Sequence, residues 1–357
     1  MKYKMKKVVI LLVLLISLSA VAKPVSEKDA RRVAYHFLAN QIGVAEQELE
    51  MLYSQKLTNA GHTAFYTFAT PRGGFAIVAG DDVALPILAY SYENPFGADV
   101  PEHLAAFLAD LAGAIDAALE QKVTPSLYTT RQWNSLLESP TPLTTTEGTV
   151  GPLLTTKWSQ VYPYNAMCPS RIDSTGATLY AKVGCFAVAL GQLIRFWQYP
   201  TNPRGTHSYS ESDFGNHTVC YDSVSYDFTL MPNQLVSTTA ANAINETARF
   251  LFHCGVSVDM QYGISSSAAF SANPVSALVN YFGYDSGLGL IDKNDYADTA
   301  WISLLKSDLR LNRPVLYRGT SWGGGHMWVC DGYDATNHFH FNMGHGGGDD
   351  GWFLFRQ

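Results

Sequence analysis

The chain has 357 residues, a formal net charge of −7 and 47% hydrophobic residues. That length exceeds one ordinary core, and beyond the N-terminal lysines no Lys/Arg cluster is present to suit nucleic acid or an anionic membrane surface. Its five cysteines are irregularly spaced without a CxxC pair, which argues against a zinc or thioredoxin-like motif, and their odd number leaves at least one thiol unpaired.

Lys2, Lys4, Lys6 and Lys7 precede an apolar run at 8–18, followed by Ala20-Val21-Ala22. Residues 1–22 therefore read as a cleavable export signal, too short for a membrane span. A secreted or surface protein is expected, in a compartment that permits disulfides. Cys168 and Cys220 are the pair considered for a bridge, whereas Cys254 and Cys330 lie in apolar stretches and read as core.

Residues 26–42 read as a helix capped by Ser26, with Ala30, Val33, Ala34, Phe37 and Leu38 as its apolar stripe. Strands are expected at 64–69 and 74–79, joined by the turn Thr70-Pro71-Arg72-Gly73, with a third at 85–92. An Ala- and Leu-rich helix follows at 102–122, completing an α+β unit able to stand on its own. Between 135 and 156, Ser139-Pro140-Thr141-Pro142 and the Thr144–Gly148 stretch have turn or extended preference and little apolar content. This is either a plain linker or an exposed site of activation cleavage. The expected division is 1–22 signal, 23–140 first domain and 141–357 second domain.

The second domain is expected to carry helices at 185–199, 240–253, 274–282 and 300–311, with an extended stretch at 257–262. Strands follow at 315–317, 326–333, 338–342 and 352–355. A helical half followed by a strand half is α+β order. In 185–199 the residues Phe186, Ala189, Leu190, Leu193, Ile194 and Trp197 make one apolar stripe, bounded by Gly184 and Pro200. Cys185 thus sits at a helix N-terminus, where unpaired N–H groups favour a thiolate. A cysteine there is either a small core residue or an activated nucleophile.

Thiol catalysis requires a base and a group that orients the base. His326 follows Gly323-Gly324-Gly325 and opens a strand, so backbone can approach a substrate there. A hairpin about Asp334-Ala335-Thr336-Asn337 pairs residue 326 near 345 and brings Asn342 close, where a carboxamide can fix the imidazole tautomer. The backbone N–H of Cys185 is one oxyanion donor, and Gln160 is a candidate for the second. The segment Gly346-Gly347-Gly348-Asp349-Asp350-Gly351 lacks the alternating ligands of a calcium loop and reads as a mobile glycine loop. No metal or other cofactor is expected.

Several long segments, taken together and in order, resemble the streptopain-type cysteine proteases, papain-like enzymes secreted as zymogens. Residues 73–91 (GGFAIVAGDDVALPILAYS) are similar to the family's propeptide, 183–200 to its nucleophile helix and 255–267 (GVSVDMQYGISSS) to a cleft loop. Residues 313–332 (RPVLYRGTSWGGGHMWVCDG) are similar to its histidine strand, and 338–353 to its asparagine and glycine loop. The resemblance runs from about residue 30 to 355. It implies a two-lobed papain-like catalytic domain behind an α+β propeptide domain, endopeptidase activity and removal of the propeptide. It also implies Cys185 as nucleophile, His326 as general base, Asn342 as orienting residue and Gln160 as oxyanion-hole glutamine. Ser265, Ser266, Ser267 and Gly325 are implied as pocket walls, receiving an apolar residue next to the cleaved one. The partners implied are protein or peptide substrates and the chain's own propeptide, with no nucleic acid and a monomeric enzyme.

The chain departs from the pattern in three places. Met343 and His345 stand where the family has tryptophans, the first of which shields the Asn–His bond from water. His345 is close enough to perturb His326. Phe186 is bulkier than the usual valine, and the resemblance implies more catalytic domain beyond Gln357. Phe186 reads as a small packing change, whereas Met343, His345 and the C-terminal departure support an alternative, a weak or inactive paralogue acting as a binding or inhibitory protein. A cell-wall amidase with a Cys–His site is the other enzymatic alternative, opposed by the propeptide match.

Overall fold

Ser26 Oγ accepts the backbone N–H of Asp29 at 3.1 Å and starts helix α1 (Glu27–Ile42), which ends where Gly43 turns left-handed at φ 62°. The computed structural model describes residues 22–59, 61–97, 100–138, 148–269, 274–321 and 324–355. Residues 1–21 of the expected signal and the 139–147 part of the expected cleavage segment lie outside these. Ala30, Val33, Ala34 and Leu38 of α1 are buried as their spacing requires.

Strands β1 (Glu50–Lys56), β2 (Thr63–Ala69), β3 (Phe75–Ala79) and β4 (Ile87–Ser91) form an antiparallel meander, followed by α2 (Glu102–Glu120) and α3 (Leu127–Glu138). Gly73, at φ 90°, closes the β2–β3 turn, and a Cβ there would lie 2.5 Å from the carbonyl oxygen of Glu93. Beyond the linker come the small strands β5 (Ser170–Ile172) and β6 (Thr178–Tyr180), then α4 (Cys185–Trp197). The hairpin β7 (Thr206–Glu211) and β8 (Gly215–Cys220) precedes α5 (Ala241–Val256), α6 (Pro274–Asn280) and α7 (Asp298–Leu309). Strands β9 (Val315–Ser321), β10 (Gly324–Tyr333), β11 (His338–Asn342) and β12 (Gly351–Leu354) finish the described chain.

One eight-stranded sheet runs in the order β1-β2-β3-β4-β12-β11-β10-β9, every neighbour antiparallel. Its seam is the pairing of Trp352 with Tyr90 and Phe353 with Ala89. In this structure the first α+β unit thus shares its sheet with the second. Phe65, Phe68 and Phe75 share one core with Phe339, Phe341 and Phe353, and each such ring contributes about 2–3 kcal/mol by burial. A second core surrounds α4 and α5, with Leu190, Ile194, Phe250 and Leu251 fully buried. The molecule is thus mixed helix and antiparallel sheet, with a helical lobe against a β lobe.

Strand β1, helix α3 and the β7–β8 hairpin have no counterpart in the sequence expectation. Exposed Glu50, Met51, Ser54 and Lys56 blur the alternation of β1, an edge strand, and α3 buries only Thr129, Trp133 and Leu136. The stretch expected to be extended at 257–262 is a turn carrying Asp259 at φ 53° and a single bridge from Gln261 to Ala268. All five cysteines are free thiols, so the Cys168–Cys220 bridge does not form; Cys254 and Cys330 are core residues. Among the described residues no helix is long and apolar enough to cross a membrane, and no cluster of three or more His, Cys, Asp or Glu could hold a metal.

Candidate active site

Helix α4 starts at Cys185 because Gly184 adopts φ 87°, ψ 140°, and a Cβ there would meet the Met260 side chain at 2.6 Å. From Phe186 to Ile194 every residue is buried, so this helix is packed all round rather than along one stripe. Its N-terminus reaches β10, where the backbone N–H of Met327 is directed at the Cys185 sulfur. Burial pushes the thiol pKa up; the Met327 and Phe186 N–H groups and the Arg318 charge pull against it. Arg318 also lies over the Phe186 ring, 5.7 Å from its centroid.

His326, next to Met327 on β10, is buried. Its Nε2–H donates to the carbonyl oxygen of Met343 at 3.1 Å. A carbonyl can only accept, so this bond selects the tautomer with Nδ1 as the basic nitrogen. Burial and the neighbouring His345, whose ring centroid is 5.4 Å away, depress its pKa to about 3. In this state both thiol and imidazole are favoured in their neutral forms.

The register pairs Val329 with Asn342, which puts residue 345 level with His326 as the hairpin spacing requires. The orienting carbonyl nevertheless belongs to Met343, not to the Asn342 side chain. Asn342 Oδ1 accepts from Gln192 Nε2 at 2.8 Å and from the Gly344 N–H at 3.2 Å, and its Nδ2 donates to the Thr156 carbonyl at 2.7 Å. The Gly344 N–H and the Met343 carbonyl belong to one peptide unit. Asn342 thus holds the peptide that holds His326, one step removed from its expected place.

Gln192, two turns along α4 from Cys185, was not singled out from sequence. Position 192 lies off the apolar stripe, so periodicity gave no signal for it; the structure buries it, and a buried amide demands partners. Its Oε1 accepts the Trp158 N–H at 3.3 Å, so Gln192 and Asn342 together fasten the segment leading to Gln160. The carbonyl of Gln160 accepts the Val183 N–H at 3.0 Å, which brings this residue alongside Gly184 and Cys185.

Ser267 is buried, and its hydroxyl donates to the Lys182 carbonyl at 2.7 Å while accepting the Gly263 N–H at 3.0 Å. It pins the cleft loop rather than offering its hydroxyl to a substrate. Ser265 and Ser266 are exposed on that loop, and Gly325 is exposed beside His326. The glycine loop is not the mobile segment its composition suggests. Asp349 Oδ1 accepts the Gly97 N–H at 2.9 Å, and Asp350, 2% exposed, accepts the Met343 N–H at 2.7 Å.

The first α+β unit is bonded to the catalytic lobe behind this loop. Tyr90 Oη donates to Asp334 Oδ2 at 2.9 Å in the buried seam, and His338 Nε2 donates to the Ile87 carbonyl at 3.0 Å. Lys157 Nζ donates to Asn94 Oδ1 at 2.9 Å.

A thiol at a helix start, met by the N–H of the residue that follows a buried histidine and set between a helical and a β lobe, fits a papain-like cysteine peptidase. Residues 158–353 match the peptidase C10 family, and the chain belongs to it. Residues 22–115 match the Spi protease inhibitor family. The chain is 28% identical over 342 residues to the thiol protease/hemagglutinin PrtT of Porphyromonas gingivalis, covering 93% of this chain and 39% of that protein. It is 28% identical over 353 residues to streptopain of Streptococcus pyogenes, covering 92% of this chain and 84% of that one. Its fold is similar to a prointerpain A fragment of Prevotella intermedia, with TM-score 0.69, 25% identity and coverage of 86% and 91% of the two chains. Active interpain A gives TM-score 0.53 and 28% identity over 58% of this chain and 87% of that one.

Proposed function

We propose that this cysteine peptidase is exported as an inactive precursor and hydrolyses internal peptide bonds of proteins through Cys185 and His326. The observation that carries the reading is the Met343 carbonyl on His326 Nε2, with the Cys185 sulfur at the neighbouring Met327 N–H. His326 Nδ1 takes the thiol proton as sulfur attacks the scissile carbonyl, and the S–C bond forms. The oxyanion is met by the Cys185 N–H at the helix start and by the Gln160 side chain. The imidazolium returns its proton to the amine nitrogen as the C–N bond breaks. Water, deprotonated by His326, then hydrolyses the thioester.

Residues 1–22 serve as signal, 23–140 as propeptide and 141–357 as catalytic domain, with release by cleavage between 139 and 151. The inhibitor-family match and the zymogen-like neighbour support the latent form, in which thiol and imidazole are both neutral. The exposed residues Ser265, Ser266 and Gly325 line the substrate path. A weak or inactive paralogue is the competing reading, favoured by His345 at 5.4 Å from His326. Incubating the processed protein with an irreversible thiol-protease inhibitor under reducing conditions separates the two. One adduct on Cys185 with loss of casein cleavage is expected; no adduct there in folded, processed protein sinks the protease mechanism.

A further inference from the structure

We propose that Asp350 is a positioning residue for His326, acting through the backbone of Met343. Its carboxylate accepts the Met343 N–H at 2.7 Å, and the carbonyl of the same residue accepts His326 Nε2–H at 3.1 Å. Met343 is gripped on both sides, since Asn342 Oδ1 holds the Gly344 N–H of the peptide unit that presents that carbonyl. The direction of the carbonyl, and with it the aim of the imidazole, is set by these two anchors.

A carboxylate 2% exposed is costly to keep, and a neutral amide could accept the same N–H at lower cost. When ionised, the carboxylate adds a charge-assisted, shorter and stiffer bond. Gly351 makes the placement possible, because a Cβ there would lie 2.7 Å from the Tyr90 carbonyl oxygen. The ionisable groups acting on Asp350 are His340, itself paired with Asp331 at 2.6 Å, then Asp331 and His345. Burial outweighs the pull of His340 and holds the Asp350 pKa up at about 7. Its backbone carbonyl also accepts Asn94 Nδ2 at 3.3 Å, so the anchor lies where the inhibitor-like unit meets the catalytic lobe.

The proposal rests on His326 being the base. The test compares wild type, Asp350→Asn and Asp350→Ala, each in a Cys220→Ser background because Cys220 is an exposed thiol. Peptide hydrolysis by the processed enzyme and iodoacetamide alkylation of Cys185 are followed from acid to alkaline pH. Asp350→Ala is expected to lower kcat about tenfold or more with KM within about twofold, because the imidazole is misaimed rather than the substrate lost. The alkaline limb of Cys185 alkylation, which reports the imidazolium, should move to lower pH as its acceptor carbonyl swings away. Asp350→Asn should show a smaller fall and a smaller shift in the same direction. If Asp350→Ala yields no folded protein, the Asp350→Asn limb decides, and an unmoved limb overturns the proposal. A limb present in wild type and unmoved in every Asp350 variant overturns it alone. A wild-type profile without the limb, or His326→Ala alkylated as fast as wild type, overturns the base assignment and the proposal with it.

Discussion

Gln192 Nε2 and Asn342 Oδ1 meet at 2.8 Å in the buried boundary between the two lobes, joining helix α4 to strand β11. Both side chains have further partners in the Trp158 N–H and the Thr156 carbonyl, so the bond belongs to a closed polar network. Asn342→Ala leaves the Gln192 amide and the Thr156 carbonyl without this partner and should cost about 1–3 kcal/mol of stability. A double-mutant cycle with Gln192→Ala, read by urea unfolding, should show coupling of about 0.5 kcal/mol or more. Additive losses would show that the network is not cooperative.

Two buried groups predict opposite pH limbs in the stability of the precursor. His326 is held near pKa 3 in the fold against 6.5, so its neutral form is favoured. Its contribution is present above pH 6.5 and is lost as pH falls through 3. Asp350 is raised from 3.8 to about 7, so its contribution is full below 3.8 and is lost as pH rises through 7. Urea midpoints across pH 3–8 should therefore lose their acid limb in part in His326→Gln and their alkaline limb in part in Asp350→Asn. Parallel curves for variant and wild type would contradict the assignment.

Maturation can be followed on a gel. Cys185→Ala removes the sulfur and should leave the full-length precursor uncleaved when purified alone, if processing is autocatalytic. Adding a trace of wild-type enzyme should restore cleavage between residues 139 and 151. Spontaneous cleavage of the pure variant would assign maturation to an outside protease.

The hold of the inhibitor-like unit depends on Tyr90, whose hydroxyl donates to the buried Asp334 carboxylate at 2.9 Å. Asp334 stays well served by Thr336 and His338, which keep its pKa at about 2 despite burial. Tyr90→Phe therefore removes one charge-assisted bond, about 1.5–3 kcal/mol, without stranding the acid. Faster release of the N-terminal unit and a shorter lag before casein cleavage are expected. An unchanged lag would place the controlling contact elsewhere, among Asn94, Gly97 and the Asp349–Asp350 pair.

Local chemistry made much of this molecule readable. Period and capping located α1 and α4 to within two residues, the turn at 70–73 joined its two strands, and the spacing about 334–337 set the register that levels residue 345 with His326. The family resemblance added the N-terminal inhibitor-like unit, which the match of residues 22–115 bears out, and it proposed Cys185 and His326 as partners. Polar edge elements such as β1 and the β7–β8 hairpin stayed hidden, because their alternation is weak and only packing stabilises them.

What tertiary structure decided was mostly a matter of one-residue shifts and long-range partners. The sequence names Asn342 as a carboxamide near a histidine but cannot say which oxygen the imidazole meets; the hairpin geometry hands that place to Met343. Nor does any local pattern reveal that Tyr90 and Trp352 pair, turning two α+β segments into one sheet, or that Asp350 reaches back to residue 343. The helix start at Cys185 is a property of a short segment, since caps and periodicity act over a few residues. Orientation, latency and the grip on the histidine depend on contacts between segments far apart in the chain, and those exist only once the two lobes close on each other.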